Sequence, residues 1–201
     1  QRRHMGTVKS IKNIINQNLF GPLKSVQIYF GDVHYKFDGF RSNKDISGGG
    51  LFFESGSHWI DTVLFTTLAK DIKNFNLRKK VNDGLDIECE GKFNIENHKF
   101  DCNFYMTILE NTSNIIKYNF DNCSIDLSLF DNNSFLKISN DNNKDFIIKD
   151  NEFSNFPNNS LDVATSFWNE FIVSFKNKKN SILSIDNFVL TTKIIELFYD
   201  D

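Results

Sequence analysis

Glu54, His58 and Asp61 recur at intervals of four and three residues, the spacing that sets side chains along one face of an α-helix. A carboxylate, an imidazole and a second carboxylate on one stripe form an acid/base arrangement. Histidine exchanges a proton near pH 7, and a carboxylate beside it can fix its tautomer. The same spacing also describes a solvated surface pair, and spacing alone does not separate the two. Immediately before them runs Gly48-Gly49-Gly50, where the backbone can take positive φ and approach other groups closely. Neither G-x-G-x-x-G nor G-x-x-x-x-G-K-[ST] occurs in the chain, so the run is not by itself a phosphate-binding fingerprint.

The elements that must carry these residues follow from hydrophobic periodicity. Val8, Ile11, Ile14, Ile15 and Leu19 recur at helical spacing and predict a helix over Thr7–Asn18, ended by Gly21-Pro22. Alternation of Val26, Ile28 and Phe30 predicts a strand over Leu23–Phe30. Gly31–Gly50 reads as a long loop holding His34, Tyr35, Phe37, Asp38 and Arg41. Phe53–Ala69 reads as the site-bearing helix, burying Ile60, Leu64 and Leu68. Six strands are predicted next: Leu85–Phe93, Lys99–Leu109, Asn114–Phe120, Ser124–Phe130, Phe135–Ile138 and Phe146–Lys149. Turns at Glu96-Asn97-His98, Glu110-Asn111-Thr112, Asp121-Asn122, Asp131-Asn132-Asn133 and Asp141-Asn142-Asn143 part them. Such short connections favour an antiparallel meander. Asp83, Asp86, Glu88 and Glu90 read as a solvated strand edge.

Two helices close the chain. Ser160–Lys176 has Leu161, Ala164, Trp168, Phe171 and Phe175 on one stripe. Asp186–Tyr199, capped by Ser184, turns Val189, Leu190, Ile194, Leu197 and Phe198 inward. The fold class is therefore α+β, a mostly antiparallel open sheet with helices packed on one face. The other face, with Tyr105, Thr107 and Tyr118, is expected to be open for a second copy.

Composition bounds the reading. The 201 residues fit one domain, with 40% hydrophobic and 24% charged residues. A net charge of −3 implies no general attraction to nucleic acid or to an anionic membrane. No apolar run approaches the ~18–20 residues that span a bilayer. Cys89, Cys102 and Cys123 are odd in number and lack C-x-x-C spacing, which argues against a disulfide framework or a structural zinc site and for buried free thiols. His34 and His98 lack metal-ligand spacing. Sequons at Asn111, Asn122, Asn132 and Asn158 are ordinary in so Asn-rich a chain, and a cytoplasmic location is expected.

Gly48-Gly49-Gly50 followed by Glu54, Gly56, His58 and Asp61 resembles the signature G-G-G-x-L-x-[DE]-x-G-x-H-x-x-D of the Gfo/Idh/MocA family. That signature opens the first long helix of the family's C-terminal domain. Gln1-Arg2-Arg3-His4-Met5, Leu19-Phe20-Gly21-Pro22-Leu23, Phe40-Arg41 and the closing helices from Phe167 to Asp201 are similar to the family's flanking segments. The family more often has Asp where Glu54 stands. Its N-terminal dinucleotide-binding domain and "E-K-P" motif have no counterpart here, so either a fragment of a longer polypeptide or a degenerate stand-alone domain is expected, and Gln1-Arg2-Arg3, beginning mid-motif, favours the fragment.

The resemblance implies part of an oxidoreductase using NAD or NADP, held mainly by that other domain. Its substrate would be a hydroxyl of a sugar, nucleotide-sugar or cyclitol. His58 would transfer the hydroxyl proton and Glu54 would assist it. Arg2, Arg3, Arg41 and Asp61 would contact substrate, and Gly48 and Gly49 would lie beside the cofactor. No metal is implied, and a homodimer or homotetramer would form through the sheet. Each residue also has a quieter reading. For Arg2 and Arg3 it is solvated surface, for Arg41 a salt bridge with Asp38 or Asp45, and for Asp61 a hydrogen bond to nearby backbone. Two rival functions stay open: a non-catalytic domain that self-associates through its sheet, and a carbohydrate-binding module.

Overall fold

A computed structural model describes residues 2–96, 100–129, 134–140, 144–149, 160–179, 181 and 184–200. Gln1, His98, Lys99, Phe130, Asp201, the turns at 97–98, 131–133 and 141–143, and the sequons at Asn132 and Asn158 lie outside the described residues.

The chain begins with a 3-10 turn, Arg2–His4, and helix α1 (Gly6–Asn16), then runs into strand β1 (Ser25–Gly31). A short helix α2 (Lys44–Ser47) lies inside the predicted loop. Asn43 Oδ1 accepts the Asp45 N–H at its start, and Gly48, at φ 80°, ends it in the left-handed conformation. A π-helical turn, Phe52–Gly56, leads into α3 (Ser57–Thr66). Strands follow as β2 (Ile72–Asn82), β3 (Leu85–Ile95), β4 (Phe100–Thr107), β5 (Ile115–Asn119), β6 (Cys123–Ser128), β7 (Phe135–Asn140) and β8 (Asp145–Lys149). Helices α4 (Ser160–Asn177) and α5 (Val189–Tyr199) close the chain.

The eight strands form one sheet in the order β2-β3-β4-β1-β5-β6-β7-β8. After β1 the chain crosses through α3 to the sheet edge, and β2-β3-β4 returns as a meander. It lays β4 parallel to β1, with Val26 opposite Cys102 and Ile28 opposite Phe104. β5 pairs antiparallel with β1 on its other side, and β5-β6-β7-β8 meanders outward. One sheet face and the helices share a core that includes Val26, Ile28, Phe93, Cys102, Met106, Ile116 and Ile125 from strands, with Val8, Ile11, Trp59, Ile60, Val63, Ile194 and Phe198 from helices. The α+β class, the open and mostly antiparallel sheet and the helices on one face are as the sequence predicts. Cys89 and Cys102 are buried free thiols, and Cys123 is half-buried.

Several expectations are corrected. β2 falls in residues 72–82, which the sequence pattern leaves unassigned. It is an edge strand carrying Lys73, Arg78, Lys79 and Lys80, and its register shifts between Lys73 and Asn76. Charge on an edge blocks further pairing, and the shift breaks the alternation that would reveal a strand. Tyr118 is not on the open face. It lies opposite Val26 and Ile125, is 0% exposed, and its hydroxyl is 2.8 Å from Thr66 Oγ1. Thr107 is also buried, bonded to Glu88 and to the Leu109 N–H. Leu68, at φ 53°, lies past the end of α3 and is exposed.

The predicted inward stripe of α4 is turned outward: Leu161, Trp168, Phe171 and Phe175 are exposed, whereas Val163 is buried and Phe167 half-buried. Its apolar residues spread over a broad arc, of which the edge with Val163 and Phe167 is the part turned inward, so periodicity alone does not choose the inner face. On the last helix Ile194 and Phe198 are inward as expected, but Val189 and Leu197 are exposed, and Ser184 precedes a separate 3-10 turn, Ile185–Asn187, without a side-chain cap. Asp86, finally, is not a solvated edge residue; it is 2% exposed.

Candidate active site

The triple glycine is shaped by packing within the chain. An added Cβ at Gly50 would sit 2.4 Å from the Asp86 carbonyl oxygen, and one at Gly49 would sit 2.5 Å from the Tyr199 ring. Only glycine permits both approaches. Asp86 Oδ1 accepts the Gly50 N–H at 2.8 Å, and Oδ2 accepts the Phe52 N–H at 2.7 Å. The Tyr199 hydroxyl donates to Asp86 Oδ1 at 2.6 Å and accepts the Phe53 N–H at 3.1 Å. These are N–H groups that a helix start leaves without intrahelical partners. Gly48 and Gly49, expected beside a cofactor, are thus accounted for by a left-handed helix end and by contact with Tyr199.

Glu54 and His58 line one cavity and His58 and Asp61 another, but among the described residues no hydrogen bond joins the three side chains. Glu54 lies within the π turn and His58 in the first turn of α3. Glu54 instead accepts from Arg41 Nη1 at 2.5 Å. Arg41 pairs with this carboxylate rather than with Asp38 or Asp45. Tyr35 joins the cluster: its hydroxyl accepts from Ser55 Oγ at 3.1 Å and bonds to Glu54. Burial, with Glu54 adding to it, pushes the Tyr35 phenol up to about 12.

Asp61 accepts a two-point bond from Arg3, 2.9 Å from Nε to Oδ2 and 2.5 Å from Nη2 to Oδ1. Thr191 Oγ1 donates to the same carboxylate, and Arg3 also donates to the Asn187 carbonyl. The Arg3 guanidinium lies 4.1 Å from the Phe188 ring centroid and is 4% exposed as a residue. Arg3 and Asp61, expected at the substrate, are engaged with each other and tie the chain start to α3 and α5. Their long sequence separation hid the pairing.

His58 is exposed at the junction of two cavities. One, of about 320 Å³, is lined by Phe40, Arg41, Ser47, Gly49, Phe53 and Glu54; the other, of about 520 Å³, is lined by Arg2, Met5, Asp61, Phe167, Phe188 and Thr191 among others. Ser57 and His58 line both. Among the described residues no side chain hydrogen-bonds either imidazole nitrogen. Crowding by protein lowers the His58 pKa below 6.5, and the Arg2 cation lowers it further, against the opposing pull of Asp61 and Glu54. The ring is therefore neutral at pH 7. Arg2 lies over the Trp59 ring at 5.3 Å and borders the larger cavity. Sequence reasoning missed Ser57, Phe167, Phe188 and Thr191 as cavity residues. Of these only Ser57 stands beside the motif, so only it carried a local signal.

No protein-family model and no curated protein sequence matches this chain. Its fold, however, recurs among solved oxidoreductases. An aldose–aldose oxidoreductase from Caulobacter crescentus, solved with glycerol, aligns with a TM-score of 0.83 at 11% identity, over 99% of this chain and 59% of that one. An NAD-binding oxidoreductase from Klebsiella pneumoniae aligns at 0.77 and 10% identity, over 97% and 60%. An oxidoreductase from Agrobacterium radiobacter, solved with NAD+, L-tartaric acid and magnesium, aligns at 0.71 and 13% identity, over 96% and 58%. The chain thus shares its fold with part of these solved oxidoreductases, the kind of fold that the resemblance around His58 implies. It spans about three-fifths of the length of these structures.

The described residues do not fit a dinucleotide on their own. They contain no glycine-rich turn between a strand and a helix N-terminus open to a pyrophosphate. The N–H groups of Gly50, Phe52 and Phe53 are already taken by Asp86 and Tyr199.

Proposed function

We propose that this chain is the substrate-binding part of an NAD- or NADP-dependent oxidoreductase, acting on a hydroxyl of a sugar, nucleotide-sugar or cyclitol, with His58 as the proton-transfer residue. The observation that carries this reading is the place of His58. It is a solvent-reachable imidazole, neutral at pH 7, at the meeting of two cavities in a fold shared with solved oxidoreductases. NAD or NADP, held mainly by other residues of the complete polypeptide, would when bound accept the hydride. The residues of this chain supply the rest. His58 takes the hydroxyl proton as the C–O bond gains double-bond character, and returns it in the reverse direction. Glu54, held by Arg41 and Tyr35, is an acceptor for a further substrate hydroxyl. Arg2 provides positive charge beside the larger cavity.

In the complete polypeptide, His58→Asn is expected to slow single-turnover hydride transfer ~10²–10⁴-fold with little change in substrate affinity. Glu54→Gln is expected to cost less, since the imidazole keeps its position. The pH profile carries the sign. A general base works in its neutral form, so oxidation falls as pH drops through the His58 pKa, and that limb lies below 6.5 because the pKa is lowered. An unchanged rate in His58→Asn would assign His58 to packing.

A further inference from the structure

Two residues with no part in the proton chemistry hold the backbone that presents it. Asp86 is the second residue of β3, and Tyr199 is the last residue of α5. Together they accept the N–H groups of Gly50, Phe52 and Phe53 and bond to each other. No side chain at the start of the π turn caps it. The turn is thus anchored from two distant strands of sequence at its first residues, while Glu54 and His58 hang from its later ones.

We infer that Asp86 and Tyr199 are positioning residues for the His58 site, a clamp that fixes where the π turn starts and so aims Glu54 at Arg41 and His58 at the cavity junction. The inference deepens the reading of His58 given above. Three observations converge on it. The clamp needs glycine at 49 and 50, because a Cβ at either would collide with Tyr199 or Asp86. Phe53 meets the Tyr199 ring edge-on at 6.4 Å and itself lines a cavity beside His58. Helix α5 also borders the other cavity through Thr191, bonded to Asp61, and Thr192. One helix therefore braces both sides of the imidazole. Burial and the Asp86 carboxylate hold the Tyr199 phenol well above its ordinary pKa of 10, so it remains a donor.

The test is the titration of the His58 ring, followed by NMR in this chain and assigned by the signal that His58→Asn removes. Tyr199→Phe deletes the hydroxyl and keeps the ring; Asp86→Asn keeps the shape and removes the charge. Loosening the turn relieves the crowding by protein that lowers the imidazole's pKa and slackens the hold on Glu54, while Arg2 and Asp61, the other charges that face the ring, are held by Trp59 and Arg3 outside the turn. The expected result in both variants is an upward shift of the His58 titration toward 6.5, in molecules whose circular dichroism is that of the parent. Ile125→Val, in the core of β6, serves as a control that lowers stability and leaves the titration unmoved. Wild-type titration in Tyr199→Phe would overturn the inference, and that variant decides if Asp86→Asn does not fold. Because the readout is a titration, a His58→Asn enzyme with undiminished hydride transfer would remove the catalytic reading and leave the clamp standing.

Discussion

Asp61 shows how a residue in a catalytic-looking motif can be committed to structure. Its carboxylate faces a guanidinium that is almost wholly buried, and the two-point geometry leaves Arg3 with bonds to Asp61 and to the Asn187 carbonyl. Removing one partner of such a pair strands a buried charge, which costs more than the pair is worth in forming. Asp61→Ala is therefore expected to lower stability by about 3–5 kcal/mol, read as a lower midpoint in urea. The double variant Arg3→Met/Asp61→Leu is expected to recover much of the loss, because no charge is then left buried. Unchanged stability in Asp61→Ala would return the residue to the substrate.

The entry into α3 is governed at the scale of an element. Three consecutive glycines read in sequence as one flexible unit, but each has a separate reason. Gly48 adopts φ 80°, Gly49 makes room for the Tyr199 ring, and Gly50 lies against the Asp86 backbone. The obstacle at Gly50 is main chain, which cannot swing aside as a side chain end can. Gly50→Ala is expected to cost about 1–3 kcal/mol through overpacking. Gly48→Asn, at a left-handed position that Asn tolerates, is expected to cost much less. Thermal unfolding of the two variants checks the order. Equal costs would mean that conformational freedom, not close approach, explains the run.

At the scale of the molecule, no helix among the described residues covers one face of the sheet. Tyr105 lies on it, between Glu88 and Glu110, and with Gln27, Tyr29, Asn103 and Lys92 it borders a shallow hollow of about 410 Å³. We propose that this face meets a second copy, since two sheets stack face to face at about 10 Å. A two-fold contact would feel one substitution twice. The parent chain is expected to scatter light as a dimer or larger at micromolar concentration, and Tyr105→Lys to shift it toward monomer while it stays folded. A parent that remains monomeric would count against the face. The same molecule is expected to give no specific heat in calorimetric titration with NAD(H) or NADP(H), because its N–H groups at the triple glycine are already occupied. Micromolar affinity would refute that.

The sequence by itself determined the elements whose signals are local. Alternation in Phe100, Cys102, Phe104 and Met106 marks β4 and its inner face, and helical spacing marks α1. The glycine run with His58 marks the candidate site because its residues are neighbours in the chain. Tertiary structure decided what depends on partners far away in sequence. Asp86 reads as a surface acid until Gly50 and Tyr199 are brought to it. The guanidinium of Arg3 reads as solvated until α3 and α5 enclose it. Tyr118 changes face because pairing with β1 and β6 sets its phase. Periodicity records which residues share a face; only packing settles which face is covered and which polar group meets which.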